Sequence, residues 1–366
     1  MTHFTASDHT YMAHALRLAE RGLYTTMPNP RVACVIVKNN EIVGEGAHLK
    51  AGEPHAEVLA LREASQQAGD KAKGATAYVT LEPCSHFGKT PPCADALVQA
   101  GVAKVIAAMQ DPNPLVAGQG LARLAGQGIE VASGLMQAQA EALNPGFISR
   151  MSKSMPFVRS KIAASLDGKT ALANGASQWI TGEAARRDAQ HWRAQSCAIM
   201  TGVGTVLSDN PSLTVREIAL ERQPLKIVVD SHLRTPVNAK VLQNGRTLIP
   251  FALDSEDKAE KLFEAGAELL CIPNEAGKVC LKTLLSHLAS NEINEVLVEG
   301  GEGLNGALLA QGLIDELLIY YAPKLMGSAA KGMFAMPPFT EMNQAVDLQI
   351  LDVRQFGADI RLRLKC

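Results

Sequence analysis

The sequence lacks an excess of charge of either sign: 35 Lys and Arg stand against 37 Asp and Glu, a formal net charge of −2 over 366 residues. No overall basic field exists to draw in a polynucleotide or an anionic membrane, so neither is expected as a partner. Long apolar runs are missing too. Stretches such as Val32–Val37 and Ala198–Val203 fall far short of the roughly 20 residues that cross a bilayer. The opening Met1-Thr-His-Phe-Thr-Ala-Ser-Asp8 has no basic segment followed by an apolar one, and no secretory leader is expected. Aromatic residues are scarce, at 4 %, which leaves little for a base-stacking surface. The seven cysteines are odd in number and scattered. That excludes an orderly disulfide framework and fits thiols or metal ligands kept reduced in the cytoplasm. Internal repeats and low-complexity tracts are also absent.

What is present is ordinary globular material: 47 % apolar and 20 % charged residues, at a length that suggests roughly two to three domains. Ser7–Gly22 reads as a helix capped by Ser7 or Asp8. Ala33–Val37 and Glu41–Gly46 flank the turn Lys38-Asn-Asn40 as a hairpin. Helix His55–Ala68, strand Ala75–Leu81, helix Ala94–Ala100, strand Ala103–Ala108 and a helix–strand pair in Gly120–Val131 follow. Leu143–Pro156, with Asn144-Pro-Gly146, reads as a linker or an edge connection. Beyond it the alternation restarts at strand Phe157–Ala164 and continues to a terminal hairpin, Leu348–Arg354 with Asp359–Lys365. Such alternation predicts two α/β domains, 1–148 and 149–366.

The first half carries His55-Ala-Glu57, then Pro83-Cys84, then Cys93. Zinc takes imidazole nitrogen and thiolate sulfur, and a catalytic zinc uses three protein ligands. His55, Cys84 and Cys93 supply that set. Glu57, two residues after His55 at a helix start, can share the cleft and move a proton from the attacking water to a leaving amine. Zinc deaminases show this logic in an H-x-E…P-C-x-x-C pattern, although the Cys84–Cys93 interval is longer. Cys34, Cys197, Cys271, Cys280 and Cys366 read as structural.

The neighbouring motifs make a resemblance specific. Asn29-Pro-Arg-Val32, Gly44-Glu-Gly46-Ala-His48, Gly52-Glu-Pro-His55-Ala-Glu57, Thr80-Leu-Glu-Pro-Cys84-Ser-His86, Gly88-Lys-Thr-Pro-Pro-Cys93 and Asp111-Pro-Asn-Pro114 occur in order. Together they resemble the deaminase domain of the bifunctional riboflavin-biosynthesis deaminase/reductase family, whose Cys–Cys interval is the long one seen here. The resemblance implies a cytidine-deaminase-like α/β/α domain that removes the C2 amine of 2,5-diamino-6-(5-phosphoribosylamino)pyrimidin-4-one. It also implies that Asn29, His48, Lys89 and Asp111 line the pocket, His48 and Lys89 being suited to the phosphate.

In the second half, Lys161-Ile-Ala163-Ala-Ser165-Leu-Asp167-Gly-Lys169, Ser177-Gln-Trp179-Ile-Thr181, Arg193-Ala, Gly202–Arg216, Asp230-Ser231 and Glu299–Ala307 succeed one another. The glycine-rich run follows an expected strand and opens a helix, where a phosphate is favoured. It falls too late in the chain for a Rossmann unit. The order of motifs resembles the reductase domain of the same family, which implies a dihydrofolate-reductase-like α/β fold and NADPH as cofactor. By that resemblance Ala163, Trp179, Thr205, Asp209, Ser231, Gly301, Glu302, Gly303, Leu304, Asn305, Gly306 and Ala307 would contact NADPH. Ser177, Arg193, Leu213, Arg216 and Glu299 would contact the substrate, the two arginines gripping its phosphate. Asp209 is a candidate proton donor by position, Asp167 a turn cap, and Ser231 with Arg234 a candidate site for the cofactor's 2′-phosphate. One zinc per chain, NADPH, a small-molecule substrate and a homo-oligomer, a homodimer first, are expected. The rival readings are a zinc deaminase of another nucleobase or a nucleic acid, and a chain whose second half is non-catalytic.

Overall fold

The computed structural model describes residues 4–66, 71–85, 91–114, 116–253 and 256–366. They form two compact units, Met1–Ser154 and Met155–Cys366.

In the first unit, α1 (Ala6–Ala19) leads into β1 (Ala33–Lys38) and β2 (Glu41–Ala47). There follow α2 (Ala56–Gln66), β3 (Thr76–Val79), α3 (Cys93–Gln99), β4 (Lys104–Ala107), α4 (Gln119–Gly126), β5 (Glu130–Ser133), α5 (Gln137–Leu143) and α6 (Pro145–Lys153). Thr5 caps α1, not Ser7 or Asp8. Its hydroxyl accepts the Asp8 N–H at 3.1 Å, and the Asp8 carboxylate accepts the Thr5 N–H at 2.8 Å, a reciprocal box at the third helical position. Asn39 and Asn40 both take positive φ, 53° and 63°, the pair of left-handed residues that a tight hairpin turn requires.

The sheet runs β2-β1-β3-β4-β5, antiparallel across β1 and parallel from β3 to β5. Ala33–Val37 is buried on both faces, Val35 among α1 side chains and Cys34 and Ile36 among those of α2 and α3. A strand covered twice must be apolar throughout, which is why no alternation shows in its sequence. Gly46 lets α2 lie directly on β2: a Cβ there would stand 2.5 Å from the Ala56 carbonyl oxygen.

The stretch expected to be a linker is mostly helix α6, and the expected junction between 148 and 149 falls inside it. Pro145 sits at the first turn, where its missing N–H costs nothing. Arg31 is bonded to Asn144 across this corner, its N–H donating to Oδ1 at 2.8 Å.

In the second unit the strands are β6 (Phe157–Ser165), β7 (Lys169–Ala171), β8 (Ala198–Gly202), β9 (Leu225–Val229), β10 (Thr247–Phe251), β11 (Ala267–Cys271), β12 (Glu295–Val298), β13 (Glu316–Ala322), β14 (Lys331–Gly332), β15 (Gln349–Phe356) and β16 (Asp359–Lys365). The helices are α7 (Glu183–Gln195), α8 (Val203–Asp209), α9 (Glu256–Glu264), α10 (Leu281–Ser290) and α11 (Glu302–Ala310). Nine strands make one sheet in the order β11-β10-β9-β8-β12-β6-β13-β16-β15, while β7 and β14 pair apart from it. Strands β11 through β13 are parallel, and β16 and β15 close the edge antiparallel. Strand β12 enters between β8 and β6, so connections leave in opposite directions there. A crevice at the carboxyl ends of strands opens at such a switch point.

Candidate active sites

In the first unit His55 directly precedes α2, Glu57 lies in its first turn, Cys84 follows β3, and Cys93 opens α3. The ligand atoms of His55, Cys84 and Cys93 lie within 4.8 Å of one another. His55 Nδ1 is 3.2 Å from Cys93 Sγ and 3.7 Å from Cys84 Sγ. Tetrahedral zinc with bonds of about 2.0–2.3 Å separates its ligand atoms by roughly 3.5–3.8 Å. The Cys84 spacing matches that and the Cys93 spacing is a few tenths of an ångström shorter, so a small shift fits this nitrogen and two sulfurs to the ion. Hydrogen bonding from Cys93, then from His55, lowers the Cys84 pKa and favours its thiolate, while hydrogen bonding to Cys84 and burial raise that of Cys93. Burial, reinforced by that thiolate, pushes the Glu57 carboxyl up to about 7.

His48 stands edge-on to His55, with ring centroids 5.4 Å apart. Its Nδ1 faces the Pro54 carbonyl at 3.2 Å and its Nε2 the Asn29 amide at 3.0 Å. Nδ1 therefore donates and Nε2 accepts, and burial lowers the ring's pKa. His48 thus enters the pocket as a neutral ring with both nitrogens engaged. A phosphate contact at His48, as the resemblance implies, would have to displace one of those bonds. Asp111 follows β4 and accepts the Asn113 N–H at 2.8 Å. Lys89 lies outside the described residues.

In the second unit a cleft of about 740 Å³ opens at the carboxyl ends of β8 and β12. Ala163 of β6, Ser177 and Trp179 after β7, Arg193 of α7, Thr205 and Asp209 of α8, Leu213 and Arg216 beyond it, and Glu299, Gly301, Glu302, Gly303 and Leu304 around the start of α11 line it. Ser231, Asn305, Gly306 and Ala307 do not. The Ser231 hydroxyl instead accepts the Val279 N–H at 3.1 Å, and Arg234 points to solvent. Asn305 bonds Ser160 at 2.9 Å and the Gly300 carbonyl at 3.1 Å, which anchors the glycine loop from behind. Letter by letter, Gly301-Glu-Gly303-Leu-Asn-Gly306 spells the dinucleotide pattern. Gly306 faces away, though, against the Ala335 backbone, and only the first two glycines face the cleft. That backbone, with the open space above Gly303, fits a phosphate of NADPH at the start of α11.

Arg193 does not point at an incoming phosphate. Its Nε and Nη2 donate to the two Glu299 oxygens at 2.5 and 2.9 Å, and its Nη1 to the Thr214 carbonyl at 2.9 Å. Lys161 Nζ lies 3.9 Å from Glu299 Oε2. Burial alone would raise Glu299, but Arg193 and Lys161 outweigh it and hold the carboxyl at about 2. Burial lowers the Lys161 pKa against the pull of Glu299. Lys161 was given no role from the sequence, although it opens the motif Lys161-Ile-Ala163 that the resemblance rests on. Asp209 accepts the Ser177 hydroxyl at 3.3 Å. The Asp167 carboxylate caps the Met326 and Gly327 amides at 3.1 and 2.8 Å. Trp179 is 63 % exposed at the cleft, with the Arg186 guanidinium 4.6 Å from its ring centroid.

Residues 156–362 match the family model of the RibD C-terminal domain, and residues 5–109 that of the cytidine and deoxycytidylate deaminase zinc-binding region. The riboflavin biosynthesis protein RibD of Escherichia coli K12 is 52 % identical over 370 residues, covering 98 % of this chain and 99 % of that one. The structure of Acinetobacter baumannii RibD matches with a TM-score of 0.89 at 48 % identity, 98 % of each chain being covered. A diaminohydroxyphosphoribosylaminopyrimidine deaminase/5-amino-6-(5-phosphoribosylamino)uracil reductase from Thermotoga maritima matches at 0.87 and 31 % identity, again over 98 % of each chain.

Proposed function

The chain belongs to the RibD family of bifunctional riboflavin-biosynthesis enzymes, and on that premise we propose which of its residues perform each of the two reactions. It deaminates 2,5-diamino-6-(5-phosphoribosylamino)pyrimidin-4-one with zinc and then reduces the ribosyl side chain to ribityl with NADPH.

The convergence of His55, Cys84 and Cys93 beside buried Glu57 carries the deaminase assignment. These three residues would hold zinc, which supplies Lewis-acid activation of the attacking water. Glu57 takes the proton of that water and delivers it to the departing C2 amine, a transfer of the general acid–base kind. Asn29, neutral His48 and Asp111 orient the ring, and Lys89 meets the phosphate.

In the reductase cleft the glycine backbone at Gly301 and Gly303, with Thr205, Asp209 and Trp179, holds NADPH, whose nicotinamide supplies the hydride. Arg193 fixes the Glu299 carboxylate, and Glu299 and Ser177 orient the substrate's hydroxyls. Arg216, whose N–H is held by the Gln190 side chain at 2.9 Å, takes the phosphate.

No described helix is long and apolar enough to cross a membrane. A cytoplasmic setting suits a centre that needs two reduced cysteines. The assembly is a homodimer joined along the edge strand β15, where Ile350, Leu351 and Val353 are exposed.

Purified protein given the diamino substrate without NADPH should release ammonia, and NADPH should be consumed only once deamination has occurred. NADPH consumption at the same rate with no ammonia release would overturn this division of labour.

A further inference from the structure

Glu82, between β3 and Cys84, is buried at 5 % exposure, yet it does not belong to the metal-ligand set His55, Cys84 and Cys93. Its Oε2 accepts the backbone N–H of Asp111 at 3.0 Å and of Gly118 at 2.9 Å. Its Oε1 accepts those of Gly120 at 2.8 Å and Leu121 at 3.2 Å. A carboxylate has about four acceptor sites, so all are filled and none is left for a ligand. The last three donors sit at the start of α4, which has no side-chain cap of its own. Glu82 therefore caps that helix from a segment 36 residues away at Gly118, a favourable place for negative charge. The first donor belongs to Asp111. The two stretches also touch directly: a Cβ on Gly120 would stand 1.9 Å from the Pro83 carbonyl oxygen, one residue before Cys84.

We propose that Glu82 is a positioning residue of the deaminase, a buried carboxylate that fixes the turn bearing Asp111 and the start of α4 in register with Cys84. The ring is thereby presented to the metal centre at a set distance. This rests on the reading of Asp111 as a substrate contact. Glu82→Gln keeps the shape but turns one acceptor oxygen into a donor facing two N–H groups. The full-length variant should retain one zinc per chain and wild-type reduction of deaminated substrate. Charge-assisted hydrogen bonds are strong enough that the deaminase KM should rise about tenfold to a hundredfold, with a smaller change in kcat. Amide hydrogen exchange should accelerate at Asp111, Gly118, Gly120 and Leu121.

Unchanged exchange at those amides overturns the clamp, and zinc loss together with a fall in kcat at constant KM makes Glu82 a support for the metal instead. Faster exchange with an unchanged KM reduces it to a structural cap. If Asp111→Ala also leaves KM unchanged, the failure belongs to the reading of Asp111. Should Glu82→Gln unfold the first unit, Glu82→Asp, which keeps the charge on a shorter arm, is read by the same two measurements.

Discussion

Two buried glutamates sit under opposite electrostatic regimes. Glu57 has burial and a neighbouring thiolate against it, whereas Glu299 has two cations around it. Removing the Glu57 carboxylate should therefore subtract a proton carrier and little else. Glu57→Gln is expected to keep its zinc and its reductase activity while deamination falls about 10²–10⁴-fold. Cys84→Ser should instead lose metal and deamination together, and elemental analysis beside an ammonia assay distinguishes the two outcomes. For Glu299 the depressed pKa is a statement about stability. The contribution is fully present above the unfolded value of 4.5 and is lost as pH falls toward about 2. Acid unfolding of the second unit should be steep in that window. Arg193→Ala leaves Glu299 buried without its bidentate partner, at a cost of about 3–5 kcal/mol near neutrality. Its Glu299 pKa rises, so the stability lost between pH 4.5 and about 2 should shrink. Denaturant midpoints measured across pH on both proteins check the sign. A variant as acid-sensitive as the wild type would show that another group dominates.

At the scale of elements, the sequence was legible where one physical requirement governs each residue. The Asn39-Asn40 turn and the doubly covered β1 each follow from such a requirement, and the motif residues around His55 and Cys84 fall at element ends. It was less legible where two requirements compete. Asn144-Pro145-Gly146 carries breaker residues, yet Pro145 at a first helical turn starts α6 instead of ending α5. Arg193 has the chemistry to bind phosphate, but its guanidinium is committed to a carboxylate 106 residues away, which no local pattern reveals. Ser231 and Asn305 sit beside the cofactor motifs in sequence but behind the cleft wall in space. Glycines mark close contacts more reliably. Gly46→Ala would press a methyl group on the Ala56 carbonyl and push α2 from the sheet, displacing His55 and Glu57 together. Overpacking of this kind costs about 1–3 kcal/mol. Zinc affinity and deamination should fall while reduction stays at the wild-type rate, and zinc competition against a chelator measures the loss. Wild-type affinity in Gly46→Ala would mean that α2 can shift without moving its ligands.

For the whole molecule the proposed assembly turns on the edge strand β15. Ile350, Leu351 and Val353 are 63 %, 45 % and 56 % exposed, and an exposed apolar strand at a sheet edge is a template for pairing. In the homodimer proposed above, the charges on it suit a second copy as the partner. Two antiparallel β15 strands related by a two-fold axis at Val353 place Asp352 opposite Arg354 of the partner, twice over, whereas most other registers lose that match. Such an isologous contact is self-limiting and closes as a dimer without growing into a filament. Within one chain Asp352 already accepts from Arg361 at 2.7 Å and from Arg354 at 3.0 Å, so both strands arrive with these side chains ordered. Val353→Lys would set two ammonium groups directly across the axis, where like charges destabilise a pair. Sedimentation should show twice the 38.9 kDa of the chain for the wild type and for Val353→Thr, which keeps strand propensity, and a single chain for Val353→Lys. A wild-type monomer, or a dimer that survives Val353→Lys undiminished, would move the interface away from this edge.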